Sequence, residues 1–154
     1  MWFKRFFLAL VSATALSKGV GAALQIDNAF DFGTLAVTSN ASVSSVQMFR
    51  SGKTSSSGYV HILQFGQPGV YTLNGFPPFT LVSMSADLPA YSVSPIPNTQ
   101  QFIISALDMV DTLQLDGSGS GQFKLGGVLQ TSGLGGTYVG PATYQISLNI
   151  TITY

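Results

Sequence analysis

Between Tyr144 and Tyr154 the chain reads YQISLNITITY: every even-numbered residue is large and apolar or aromatic, and every odd-numbered one is polar. A period of two sustained this long predicts a strand with one face in a core and one in water. A similar parity links Leu24, Ile26, Phe30 and Phe32, with Asn28 as the exception, so LQIDNAFDF predicts a first strand ending at Gly33 and LAVTS a second. VSSVQMF predicts another strand, and RSGKTSSSG an exposed loop. In GYVHILQFGQPGVYTLNGFPPFTLVSMS three strand-like runs are separated by Gln67-Pro68-Gly69 and Asn74-Gly75. Both breaks are turn chemistry, because proline sets φ and glycine accepts a positive one.

Further along, Val93 to Asn98 (VSPIPN) reads as a proline-broken connector, and Gln101 to Ser105 with Leu107 as a strand. Asp108 to Asp116 fits either a loop or a short edge strand. LDGSGSGQFKLGGVL predicts a hairpin around a glycine-rich turn, and Ser132 to Gly140 is a second glycine-rich loop leading into the final strand. After residue 23 no stretch sustains a 3.6-residue apolar period. Short strands with turn signals at this spacing predict an all-β domain, a sandwich or barrel.

Composition strengthens that reading. The 154 residues suit one domain with a core of its own, and seventeen glycines, eleven phenylalanines and only 8% charged residues describe strands and turns better than helices. Glutamate is absent altogether.

The N-terminus, MWFKRFFLALVSATALSKGVGA, has Lys4 and Arg5, an apolar run from Phe6 to Val11 and small residues at Val20 and Ala22. It reads as a secretory signal peptide over residues 1–22, with Ala13-Thr14-Ala15 as an alternative cleavage site. The run is too short and interrupted for a transmembrane helix, which takes roughly 20 apolar residues. The remaining residues, 23–154, carry Arg50, Lys53 and Lys124 against six aspartates, a net formal charge of −3. That balance argues against a nucleic-acid partner. With no cysteine, an exported domain has no disulfides and rests on core burial or on strands shared between chains.

Little in the sequence speaks for catalysis. His61 is the only histidine, and one His without Cys makes neither a zinc site nor a nucleophilic triad. Asp108, Asp111 and Asp116 beside GSGSG lack the alternating acids of a calcium loop, so a plain turn is expected and no metal. GSGSG precedes a strand pattern rather than a helix, which removes the phosphate-cradle reading. Without Glu, carboxylate chemistry would need two aspartates, and no spacing selects a pair. No enzyme and no cofactor are therefore expected. Phe76-Pro77-Pro78-Phe79 is the best candidate for an exposed aromatic binding patch, since two prolines make a ladder strand difficult there. Asn40-Ala41-Ser42 and Asn149-Ile150-Thr151 fit the glycosylation triplet, a pattern short enough to arise by chance.

Three pieces carry a resemblance: Phe32-Gly33-Thr34; Asp116 through Gly121 with Gly126-Gly127-Val128-Leu129; and Gly136-Thr137-Tyr138 followed by residues 144–154. Together they resemble a family of exported bacterial β-sandwich domains of unknown function, itself similar to pilins of the archaic chaperone–usher and spore-coat-U type. The resemblance covers about half of residues 23–154 and is vague from residue 40 to 110. It implies an immunoglobulin-like, pilin-like sandwich whose subunits join other copies or sister subunits by strand addition, with a periplasmic chaperone and usher as further partners. On that reading Tyr144, Ile146, Leu148, Ile150, Ile152 and Tyr154 form the assembly strand of a structural subunit of a fimbrium or other cell-surface assembly. Two features depart from the pattern: no separate alternating donor segment precedes the first strand, and Tyr154 is last where pilins carry a penultimate aromatic. The alternative is a stand-alone adhesin-like module in cell adhesion, using Phe76 and Phe79 on glycans or a host surface.

Overall fold

The computed structural model describes residues 3–15 as backbone, and residues 21–93 and 99–154 with their side chains. The described residues form an all-β protein without a helix. In chain order the strands are β1 (Phe3–Ala15), β2 (Ala23–Asn28), β3 (Asp31–Val37), β4 (Ser45–Met48), β5 (Thr54–Ser57), β6 (Val60–Gln67) and β7 (Gly69–Asn74). They continue with β8 (Leu81–Ala86), β9 (Ala90–Val93), β10 (Ile103–Asp108), β11 (Thr112–Gln114), β12 (Gly121–Gln130) and β13 (Thr143–Thr153). Hydrogen-bonded neighbours follow the path β2-β7-β12-β10-β9-β13-β1-β3-β6, with β4, β5, β8 and β11 pairing off it.

Several expectations change once neighbours are present. The first strand is two: β2 stops at Asn28, and β3 runs through Gly33 instead of ending there. Gly33 has φ +85, and a Cβ on it would lie 2.1 Å from the Gln64 carbonyl oxygen. It is a close-approach residue inside a strand, beside the register shift between Thr34 and Leu35 in the β3–β6 ladder. RSGKTSSSG is also not all loop. Thr54–Ser57 forms β5 against β4, with the Ser45 and Ser57 hydroxyls 2.9 Å apart. A polar edge strand shows no apolar period, so pattern reading passes over it.

The glycine-rich turn after Asp116 is present, but not the hairpin. β11 pairs with β8, whereas β12 pairs with β7 over Gly121–Leu125 and with β4 and β10 beyond it. Gly126 and Gly127 sit where β12 changes partners. Cβ atoms there would come within 2.3 Å of the Met48 carbonyl and 2.9 Å of the Ala106 carbonyl. The doubtful stretch Asp108 to Asp116 resolves into the end of β10 and the short strand β11. Residues 94–98, most of the expected VSPIPN connector, lie outside the described residues.

The core gathers one face of many strands: Phe30, Phe32 and Leu35 near the start, Tyr71 and Leu73 on β7, Phe123, Leu125 and Leu129 on β12, and the even residues of β13. Tyr144, Ile146, Leu148, Ile150 and Ile152 are all 4% exposed or less. At roughly 1.5–3 kcal/mol each, these five side chains contribute on the order of 10 kcal/mol of gross burial energy, an upper bound on their net effect. Asn28 interrupts the early parity because Phe30 and Phe32 point into the core while Ile26, on β2, is 43% exposed.

Candidate strand-pairing site

β13 is paired on both edges along most of its length. On one edge β8 pairs Ser83–Ala86 with Ile150–Thr153, and β9 places Ser92 and Val93 opposite Ile146 and Gln145. On the other edge β1 runs parallel to it, from Arg5 opposite Thr143 to Ala15 opposite Ile152, with an irregularity between Phe6 and Ala9. The far edge of β1 pairs antiparallel with β3, from Phe3 opposite Ala36 to Phe6 opposite Gly33. Among the described residues β3 and β13 make no ladder with each other; β1 occupies the slot between them.

The register sorts the slot by chemistry. Positions opposite the buried Tyr144, Ile146, Leu148, Ile150 and Ile152 are Phe6, Ala9, Val11, Ala13 and Ala15, all apolar. Those opposite Ser147, Asn149 and Thr151 are Leu10, Ser12 and Thr14. The segment read as an export leader thus has its backbone laid along the predicted assembly strand. The alternative cleavage site expected at Ala15 falls at the end of β1, and residues 1–2 and 16–20 of the expected leader lie outside the described residues.

Five of the six predicted strand residues share the buried face of β13. Tyr154 does not: it follows the end of the strand, is 41% exposed, and rests edge-on against Phe76 with ring centroids 4.9 Å apart. Phe76 needs a matching correction. It is buried, so it belongs to the core and not to a surface patch. Only Phe79 of that pair is outside, 72% exposed. The turn does stay out of a ladder, as expected, but one of its rings is buried and the other exposed.

Phe79 also holds a backbone conformation that no pattern announces. Its φ of 57° is the only positive value at a non-glycine residue among those described. Its N–H donates to the Asp116 carbonyl at 2.9 Å, Gln114 Nε2 donates to its carbonyl at 2.5 Å, and Thr80 Oγ1 donates to the Pro77 carbonyl at 2.7 Å. These bonds hold the exposed ring on a stiff turn.

Before the start of β13, Val37–Ala41 and Gly135–Gly140 wall a cleft of about 610 Å³. Partly buried hydrogen bonds fix its walls. Asn40 Nδ2 donates to Ser132 Oγ and to the Gly136 carbonyl, both at 2.9 Å, and its Oδ1 accepts the Gly133 N–H at 2.8 Å. The Tyr138 hydroxyl accepts the Ser132 N–H and donates to the Gln101 carbonyl. The Tyr144 hydroxyl accepts the Val139 N–H at 2.8 Å and donates to the Val139 carbonyl at 2.9 Å. Tyr144 therefore has two roles, ring in the core and hydroxyl on the loop. The Asn40 triplet is a buried staple rather than an exposed glycan acceptor, which a three-residue match has no means of showing.

The other sequence candidates stay apart. His61 is exposed on β6, opposite Ala36. Asp116 Oδ1 accepts from the Ser118 N–H and hydroxyl and from the Ser120 N–H, and these bonds, led by the hydroxyl, hold its carboxyl below its ordinary pKa. It closes its own turn. Among the described residues no three of His, Cys, Asp or Glu gather as metal ligands. No helix of the described chain is long and apolar enough to cross a membrane. Comparison with protein-family models, curated proteins and solved structures found no match to this chain.

Proposed function

We propose that this protein is a non-enzymatic, exported structural subunit of a pilus-like or other cell-surface assembly, an immunoglobulin-like β-sandwich joined to its partners by strand pairing. One observation carries the reading: the most regular strand of the chain, β13, borders a slot whose occupant is the segment that reads as an export leader. Loss of residues 1–22 on export leaves the facing edges of β3 and β13 without their ladder partner and the apolar row from Tyr144 to Ile152 open on that side. Unpaired strand edges recruit other strands. An incoming strand from another copy, a sister subunit or a periplasmic chaperone supplies backbone bonds for affinity and alternating side chains for register.

The test is to produce the full chain in an exporting bacterium, with and without candidate chaperones. The mature N-terminus is read by mass spectrometry, and the product is examined for filaments or a chaperone complex. The expected result is cleavage near Ala22 and a higher-order species held by the slot. A stable processed monomer that takes up no strand would sink the proposal.

A second reading rests on Phe79, an exposed aromatic on a hydrogen-bonded, positive-φ turn; strained residues of this kind cluster at binding sites. As an adhesin-like module the protein would bind glycans through that ring. Specific glycan-array signals abolished by Phe79→Ala favour this reading over the structural subunit.

A further inference from the structure

We infer that Phe79 and Asp116 are the two halves of one ligand site, an apolar ring beside a hydrogen-bond-accepting carboxylate, and that its ligand is a neutral or amino sugar and not an acidic one. The inference rests on the binding-module reading above and adds to it the polar partner of the ring and the class of sugar.

Two turns distant in sequence are tied together here. The Phe79 N–H donates to the Asp116 carbonyl at 2.9 Å, and Gln114 Nε2 donates to the Phe79 carbonyl. The ring itself reaches across the second turn: a Cβ on Gly117 would lie 3.0 Å from Phe79 Cζ. Its tip therefore rests against the residue that follows Asp116. The surroundings stay open, because Phe79 is 72% exposed and Leu81, which pairs with Gln114 in the β8–β11 ladder, is exposed as well.

The Asp116 carboxylate is held by one oxygen and offers the other. Oδ1 accepts the Ser118 N–H at 2.8 Å, the Ser118 hydroxyl at 2.6 Å and the Ser120 N–H at 3.0 Å. Oδ2 takes part in none of these bonds, and the residue is exposed. Gln114 commits its Nε2 to the Phe79 carbonyl, so its Oε1 is a second acceptor beside the ring.

Acceptors next to an exposed ring suit a ligand with an apolar face and donors around its rim. A pyranose has that form: its C–H face packs on the ring, and its hydroxyls donate to the carboxylate in charge-assisted bonds. An amino group in place of a hydroxyl donates equally well and adds attraction to the carboxylate. A uronic or sialic acid brings a second negative charge toward Asp116 and is repelled.

The experiment applies the product of the full chain from an exporting host to a glycan array with neutral, amino-sugar, uronic-acid and sialic-acid termini, and titrates the hits as free glycosides. Hits are expected among the neutral and amino sugars, lost with Phe79→Ala and kept with Phe65→Ala, which removes an equally exposed ring on β6. Asp116→Asn retains an Oδ1 to accept the bonds of the turn and puts a donor where Oδ2 was. It is expected to weaken each hit about tenfold and to raise the signal of acid-terminated glycans relative to neutral ones, a change of preference that mere loosening of the turn would not produce. Hits that are lost with Phe79→Ala but indifferent to Asp116→Asn, or a preference of the unsubstituted protein for acidic glycans, overturn the inference and leave the binding module intact. An array without hits, or equal loss with Phe65→Ala, overturns both.

Discussion

β2 and β13 both alternate apolar and polar residues, yet they end in opposite situations. In β13 the even positions are buried throughout, whereas in β2 only Leu24 and Asn28 are half-covered and Ile26 is largely exposed. The difference lies in the number of neighbours. β13 has partners on both edges, and its apolar face meets the core; among the described residues β2 has a ladder partner only in β7 and lies at the end of the strand path. What secures β2 includes surface hydrogen bonds: Asp27 accepts from Thr72, Gln122 and Gln25, and Gln67 donates to Asn28. The Thr72 hydroxyl is the main cause of the lowered pKa of Asp27. Alternation states that a strand has two faces; the neighbours decide what each face is worth.

The contrast can be broken by substitution, beginning with the largest effect. Gly33→Ala, which puts a Cβ into the Gln64 carbonyl at a positive φ, is expected to prevent normal assembly of the β3–β6 ladder and with it one wall of the slot. Failure to obtain folded protein, or a far lower denaturant midpoint, is the expected outcome; a wild-type midpoint would refute the close-approach account. Leu148→Ala, at a fully buried position in the middle of β13, should cost about 2–5 kcal/mol by denaturant titration. Ile26→Ala on β2 should cost well under half of that, and equal losses would remove the distinction between the two strands.

Asn40→Ala addresses the loop beside β13. It removes two donated hydrogen bonds and one accepted one in a nearly buried setting, for about 1–3 kcal/mol. Hydrogen exchange should show protection lost first at Gly133, whose N–H donates to the Asn40 side chain, and less at Gly135, whose N–H donates to the Asn40 backbone carbonyl that the substitution keeps.

The smallest effect concerns Asp31 at the head of β3. Burial raises its carboxyl pKa, partly offset by the Gly33 N–H donated to it. A raised folded pKa means the folded state binds the proton more tightly, so this residue's contribution to stability falls as pH rises from the ordinary carboxylate value through the raised one. Asp31→Asn, which can still accept the Gly33 N–H, should flatten that part of the stability–pH curve. An unchanged slope would show that the carboxyl is not penalised by its surroundings.

Much of this protein was legible residue by residue. The final strand, the runs around β6 to β8 and the turn after Asp116 follow from period two and from proline and glycine chemistry. β5 was hidden because TSSS carries no apolar signal, and the division of β2 from β3 because Phe30 and Phe32 continue a parity that Ile26 had started on a different strand. Phe76 and Phe79 looked alike in sequence; only the φ of 57° at Phe79 and the ring of Tyr154 over Phe76 separate them. Asn40 read as a chance glycosylation triplet because its partners lie more than ninety residues away.

Local rules therefore determined which residues extend, which turn, and which side chains on a strand share a face, since all three depend on φ, ψ and the two-residue repeat of a few neighbouring residues. Tertiary structure alone decided which strands meet. It put Phe3–Ala15 beside β13, sent β11 to β8 instead of β12, and built a cleft where two loops distant in sequence converge. Ladder partners and buried hydrogen bonds join residues far apart along the chain, and no short window of sequence contains both ends of such a contact.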